Sequence, residues 1–263
     1  MSTLDAATID ALAEHLETAE MEAREVTKIT DRYPALDLDD AYAIQWAIRR
    51  RKEARGHRIV GLKMGLTSQA KMRQMGVSSP TYGFLADDFQ VSEGSAVDTR
   101  RLIHPKVEAE IAFMTSAPLR GPGCHVGQVL AATAFVMPAL EIIDSRYENF
   151  RFDLPSVVAD NSSSSRFVAG GAIADPRTLD LRTVGVVLEK NGEVAEMGVG
   201  AAVLNHPAAS VALLANLLAE RDEEIPAGSV ILSGAITAAI AVAAGDNVTL
   251  HVHGMGTIGL RFV

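Results

Sequence analysis

From His57 to Val263 the chain is built of short apolar runs cut by turn residues, a pattern that strands make and long helices do not. HRIVGLKMG, VEAEIAFMT, FVMPALEII, TVGVVLEK, GEVAEMGVG, SVILSG, NVTLHVHG and TIGLRFV each read as a strand. Asn191-Gly192 between two apolar runs is a hairpin signal, and Gly254-Met255-Gly256 is suited to turn the last two strands. Two helices interrupt the series. One is a short helix through LTSQAKMRQMG with Thr67 or Ser68 as its cap. The other opens at Pro207, with Val211, Leu214, Leu217 and Leu218 as its apolar face. Strands joined mostly by turns favour a mixed or antiparallel sheet over a doubly wound one, so the fold class is α+β.

The first ~55 residues have a different character. Ile9, Leu12, Leu16 and Ala19 recur at helical spacing, and Asp37 is placed to cap a second helix, with Asp40 three residues on and Tyr42, Trp46 and Arg49 following. The charge run RRRKEAR at its tail is expected to be a solvated helix end whose cations suit the dipole. The division expected is a helical part over 1–56 and a β-rich catalytic domain over 57–263, with no internal repeat.

Composition limits the partners. The chain has 263 residues, 48% hydrophobic and 22% charged, which is ordinary for a globular protein with a substantial core. A net charge of −9 argues against nucleic acid as a partner, and an anionic substrate would need local positive charge from a metal or a buried lysine. Cys124 cannot form an internal disulfide as the single cysteine, which suits a reducing compartment; it reads as a spectator thiol rather than a nucleophile. The acidic, amphipathic start lacks the features of a signal peptide, and the longest apolar run, Ala235 to Ala244, is too short to span a bilayer. A cytoplasmic protein with no membrane partner is expected.

The segment Lys106 to Phe113 carries the sharpest chemical signal. In a strand, Val107, Ala109, Ile111 and Phe113 take one face, while Glu108 and Glu110 take the other, about 7 Å apart. Alone, this is the ordinary pattern of a half-buried strand with a polar outer face. Glu141 changes the balance, because it lies in the almost wholly apolar run FVMPALEII, which reads as buried on both faces. A buried carboxylate needs a partner, and three in one pocket would repel one another. A hard divalent cation, Mg²⁺ or Mn²⁺, resolves both problems and keeps about three octahedral positions for water and substrate. Lys63, between apolar residues and glycines in IVGLKMG, has two readings: a snorkelling edge residue or a buried cation beside a carboxylate. His104 could line a site or be structural, and Ser162, Ser163 and Ser233 could bind carboxylate oxygens or be turn residues. Gly170-Gly171 and Gly254-Met255-Gly256 lack the spacing of a dinucleotide fingerprint, and neither a Ser-His-Asp order nor a paired-histidine metal motif is present.

GLKMGLTS, YGFLAD, HPKVEAEIAF, EIIDSRYENFRF, VADNSSSSRFV and SGAITAAIAVAAGDNV resemble the fumarylacetoacetate hydrolase superfamily over nearly the whole chain. Within it they resemble the branch of 2-hydroxypentadienoate hydratases and 4-oxalocrotonate decarboxylases of aromatic meta-cleavage pathways. GLKMGLTS, YENFRFD and ITAAIAVA favour the decarboxylase side. The resemblance implies a mixed β-sheet roll or barrel with a smaller N-terminal helical part, and metal ligands at Glu108, Glu110 and Glu141. It also implies an active-site lysine at Lys63 and a catalytic aspartate at Asp87, with Asp88 adjoining. The implied reaction is Mg²⁺- or Mn²⁺-dependent decarboxylation of 2-oxohex-3-enedioate. The alternatives are hydration of 2-hydroxypenta-2,4-dienoate and a non-catalytic subunit that stabilises a hydratase. The implied partners are a small 2-oxo dicarboxylate, a hydratase in complex, and further copies of the chain in a homo-oligomer.

Overall fold

The structure, a computed structural model, describes residues 4–68, 72 and 79–263. The helix expected over LTSQAKMRQMG falls largely outside the described residues. Helix α1 (Ala6–Met21) starts where the Asp5 carboxylate accepts the backbone N–H of Thr8, and it buries Leu12, Ala13, Leu16 and Ala19. After the short α2 (Ile29–Arg32), helix α3 (Leu38–Ala54) opens with the capping box that its sequence predicts. The Asp37 carboxylate accepts from Asp40 N, and the Asp40 carboxylate accepts from Asp37 N.

The RRRKEAR run is only in part the solvated helix end expected: Arg50, Glu53, Ala54 and Arg55 are exposed, but the run also turns inward. Lys52 is 1% exposed, with its ammonium 3.1 Å from Glu20 and 3.3 Å from Asp88. Arg51 and Arg55 both grip the buried carboxylate of Glu17 on α1, each at 2.6 Å. The run therefore bolts α3 to α1. The acids that draw it inward lie more than thirty residues away in sequence, and no local pattern announces them.

Strand β1 (Ile59–Gly65) begins the β-rich part, followed by β2 (Thr81–Ala86), β3 (Ala96–Val97), β4 (Lys106–Thr115), helix α4 (Val126–Ala131), β5 (Thr133–Ile143), helix α5 (Leu154–Ala159) and β6 (Ser164–Ala169). Next come β7 (Gly185–Lys190), β8 (Glu193–Val199), helix α6 (Pro207–Ala219), β9 (Val230–Leu232), β10 (Ile240–Ala241), β11 (Asn247–Val252) and β12 (Gly256–Phe262). The expected hairpins form at Asn191-Gly192 between β7 and β8 and at Gly254 to Gly256 between β11 and β12.

Two mixed sheets result. The larger runs β2-β1-β9-β4-β5-β6, with β10 added beside β4; β1 and β9 are parallel and the other pairs antiparallel. The smaller runs β3-β12-β11-β7-β8. β11 and β12 pack on β5, so the central strands of the large sheet are covered on both faces. This is why β4 and β5 are buried almost throughout, and why any polar side chain on them must find a partner inside the protein.

Candidate metal centre and active site

β4 and β5 pair antiparallel with Glu108 directly opposite Glu141, and Glu110 follows on the same face of β4. The three side chains offer oxygens that all lie within 4.8 Å of one another. All three residues are buried. Oε2 of Glu141 and Oε1 of Glu110 are buried without a hydrogen-bond partner among the described residues. Oε2 of Glu110 accepts the backbone N–H of Gly234 at 2.7 Å. That N–H reaches it because Gly234 adopts φ +108° beside Thr67, where a Cβ would lie 2.2 Å from the threonine hydroxyl; only glycine fits.

Burial, and after it repulsion from Glu141 and Glu108, pushes the Glu110 carboxyl well above the usual carboxylate range. Glu141 is pushed up too, by burial and against the pull of Lys63. A hard divalent cation fits these residues: the set is anionic, buried and all-oxygen, and Glu141 Oε2 and Glu110 Oε1 find no hydrogen-bond partner among the described residues.

Lys63 completes the cluster. Its ammonium lies 3.2 Å from Glu141 Oε1 and donates to the Ser162 carbonyl at 3.1 Å, and the residue is 2% exposed. Of the two readings its sequence allows, the buried cation beside a carboxylate is the one the structure adopts. Burial lowers the ammonium's proton affinity, but Glu141, Glu108 and Glu110 together outweigh burial and hold it above the ordinary lysine value. Three carboxylates against one ammonium still leave a formal charge of −2 when all are ionised, which is what one divalent cation neutralises. Lys63 is three strands from β5 in the sheet, roughly 14 Å at the usual strand spacing. Its contact with Glu141 therefore requires the sheet to curl into a half-barrel with the cluster on its concave side.

The segment Asn161-Ser162-Ser163 is the part of the site that sequence reasoning left open. All three residues have left-handed backbone, with φ of 49°, 51° and 58°. Consecutive non-glycine residues there are uncommon and costly. Asn161 holds the turn in place by imitating a strand neighbour of β2: its Oδ1 accepts from Phe84 N at 2.9 Å and its Nδ2 donates to Phe84 O at 3.0 Å. Gly83 makes room, since a Cβ there would sit 2.7 Å from the Asn161 carbonyl. The turn presents the Ser162 carbonyl to Lys63, while the Ser162 hydroxyl donates to the Tyr82 carbonyl at 3.0 Å. The Ser163 hydroxyl is buried without a partner among the described residues and lines the cavity. The available signal was small polar residues that tolerate αL in VADNSSSS, but what anchors them is tertiary.

One cavity lies against the cluster, lined among others by Lys63, Glu108, Ser163, Ile143, Phe150 and Phe152. It thus has a charged floor and an aromatic and aliphatic side wall.

Asp87 does not join this site, and its assignment as a catalytic residue is corrected. Lys63 pairs with Gly83, four residues earlier on β2, so Asp87 lies about 13 Å further along that strand direction. There its carboxylate meets His57 and Arg58, each at 3.3 Å, and it is held below the usual range chiefly by the backbone N–H of Arg58. Asp88 beside it is paired with Lys52. His104 faces Glu25 and sets its ring edge against Phe150, tying the N-terminal segment to β4 rather than lining the cavity. Ser233 donates to the Ile111 carbonyl at 2.8 Å, a structural bond.

Comparison with known proteins agrees with this geometry. Residues 62–263 match the family model described as fumarylacetoacetate (FAA) hydrolase C-terminal. The chain is 65% identical over 253 residues, 96% of each chain, to a 4-oxalocrotonate decarboxylase of Pseudomonas sp. (strain CF600). It is 40% identical over 256 residues, 97% of each chain, to a 2-hydroxyhexa-2,4-dienoate hydratase of Comamonas testosteroni. Among solved structures it superposes with a TM-score of 0.98, at 60% identity and 100% coverage of both chains, on the 4-oxalocrotonate decarboxylase from Pseudomonas putida G7 complexed with magnesium and adipate. With its curled mixed sheet and its buried acidic cluster, the chain belongs to the fumarylacetoacetate hydrolase family.

Proposed function

We infer that the chain is a metal-dependent carboxy-lyase that converts 2-oxohex-3-enedioate to 2-hydroxypenta-2,4-dienoate and CO₂, a step of aromatic meta-cleavage catabolism. The observation that carries the reading is the convergence of Glu108, Glu110 and Glu141 within 4.8 Å, with Lys63 against Glu141. The identity of 65% to a decarboxylase, against 40% to a hydratase, selects the reaction within the family.

The substrate is a vinylogous β-keto acid. Breaking its C5–C6 bond releases CO₂, and the electron pair moves through the double bond to the 2-oxo oxygen, which must accept a proton or be held as an anion. Glu108, Glu110 and Glu141 would hold Mg²⁺ or Mn²⁺, which supplies Lewis acidity at the 2-oxo end of the substrate. Lys63, buried and held protonated by its carboxylate neighbours, supplies a fixed positive charge and a proton donor at that end. The Ser162 carbonyl fixes the direction of its ammonium. The Ser163 hydroxyl, unpartnered among the described residues, can hydrogen-bond a substrate oxygen, and Phe150, Phe152 and Ile143 keep water from the diene end. No organic cofactor is called for.

We also propose that the chain works as a homo-oligomer and in complex with a hydratase. The support is chemical: the dienol product tautomerises in water, so direct transfer to the next enzyme protects it. Size measurement of the chain alone and with a hydratase tests both statements.

The functional test is turnover. Purified chain with Mg²⁺ is expected to release one CO₂ per 2-oxohex-3-enedioate consumed and to accumulate the dienol. Hydration of added dienol without CO₂ release from the dianion would replace this reading with the hydratase. No turnover of either compound would replace it with a non-catalytic partner.

A further inference from the structure

The glutamate cluster and Lys63 would account for one end of a dianionic substrate, and among the described residues the other end calls for a second cation. Lys106 is placed to supply it. It opens β4 and, by the alternation of a strand, shares a face with Glu108 and Glu110. It stands two residues before Glu108, about 7 Å away along the strand. Its register partner on β5 is Ile143, one of the residues lining the cavity. Its ammonium sits over the face of the Phe150 ring, 4.0 Å from the centroid, and Phe150 lines the same cavity. Among the described residues no carboxylate pairs with it. An ammonium that is half-buried, unpaired and parked on an aromatic wall of the cavity can turn to an incoming anion at little cost.

We propose that Lys106 is a specificity-determining residue that binds the distal carboxylate of the substrate. The inference rests on the reading of the substrate as a 2-oxo dicarboxylate. Bound with its 2-oxo acid end at the glutamates and Lys63, an extended six-carbon chain runs along β4 past Ile143 and Phe150 and brings its second carboxylate to Lys106. The consequences for kinetics follow from the chemistry. The distal carboxylate carries charge in the ground state and departs as neutral CO₂, while the charge moves toward Lys63. Lys106 therefore helps hold the substrate without favouring the transition state, and losing it should affect KM rather than kcat.

The test uses the full chain with Mg²⁺ and two stable probes, 2-oxohexanedioate and 2-oxohexanoate, which differ only in the distal carboxylate. By calorimetric titration, Lys106→Met is expected to raise the dissociation constant of the dicarboxylate about tenfold, the scale of one charge-assisted hydrogen bond at a partly exposed site. The monocarboxylate constant stays where it was, and Lys106→Arg retains the preference. Methionine keeps the aliphatic stem over Phe150, and Lys106→Gln gives a second variant if the first folds poorly. With 2-oxohex-3-enedioate, KM rises and kcat does not fall. Equal weakening of both probes, or no change in either, overturns the proposal. Should the unaltered protein release no CO₂ from 2-oxohex-3-enedioate, the decarboxylase reading fails by itself, because the titrations still report whether Lys106 holds a second carboxylate.

Discussion

Among the described residues, Glu141, Glu108, Glu110 and the Ser162 carbonyl all constrain where the charge of Lys63 can be. Glu141 and the Ser162 carbonyl fix the ammonium, while Glu108 and Glu110 keep it protonated. Lys63→Ala should therefore lower turnover by roughly 10²–10³-fold, as when one preorganised donor to a developing oxyanion is lost. Stabilisation by Mg²⁺ should survive, since the carboxylates remain; kcat and a metal-dependent melting shift, measured on the same sample, separate the two. Unchanged turnover per folded molecule would make Lys63 structural. The residues of this site differ in how far sequence reveals them. Glu141 stands out because an acid in FVMPALEII has no solvent to face, and it promotes Glu108 and Glu110 from an ordinary strand face to ligand candidates. Lys63 was ambiguous because a strand lysine can be at an edge or inside, and only the strand order places β1 between β2 and β9. Asp87 is implied only by the family resemblance, and its place just past the end of β2 keeps it from the cavity.

At the scale of elements, the charged end of α3 is the instructive case. Read locally it was a solvated tail; in the fold, Arg51 and Arg55 close on Glu17, whose side chain has no exposed surface. Burial raises the Glu17 carboxyl, but hydrogen bonds from Arg55 and Arg51 outweigh burial, and its pKa is held below the ordinary value of 4.5. A depressed folded-state pKa contributes stability that is present above the unfolded value and is lost as pH falls through the folded one. Glu17→Gln should thus melt below the unaltered protein at pH 7, by about 1–3 kcal/mol for charge-assisted hydrogen bonds to half-exposed arginines. The difference should shrink as pH drops below about 4.5. Melting curves of both proteins across pH 3.5 to 7 read it directly, and a gap that stays constant with pH would assign Glu17 a packing role only. Elements were otherwise legible where alternation was strong, as in β4, β11 and β12, or where an unbroken apolar run was long, as in β5. β2 and β6 were not read as strands from the sequence. Every residue of β2 is buried, so it shows no inside-outside alternation, and β6 begins in a serine run that resembles a turn.

The whole molecule gathers three acids that cannot comfortably be ionised together, and that conflict is testable without any substrate. Curling the sheet brings Glu108, Glu110 and Glu141 into one buried cluster, with burial and mutual repulsion pushing Glu110 and Glu141 upward. Folding without a cation therefore carries an electrostatic penalty spread over β1, β4 and β5, and a cation that binds only the folded protein stabilises all of it through mass action. At a metal concentration one hundred times its dissociation constant the gain is about 2.7 kcal/mol, which for a chain of this size raises the melting temperature by roughly 5–10 °C. Mg²⁺ or Mn²⁺ should produce that rise and EDTA should reverse it. Glu110→Gln should invert the order. Its amide oxygen can still accept from Gly234, but one of three clustered charges is gone, so the metal-free variant should melt at or above the metal-free parent. It should then gain far less from added metal, because a charged ligand is missing. A variant that is less stable than its parent under EDTA, yet gains as much from Mg²⁺, would mean that repulsion among the three acids is not what the cation relieves.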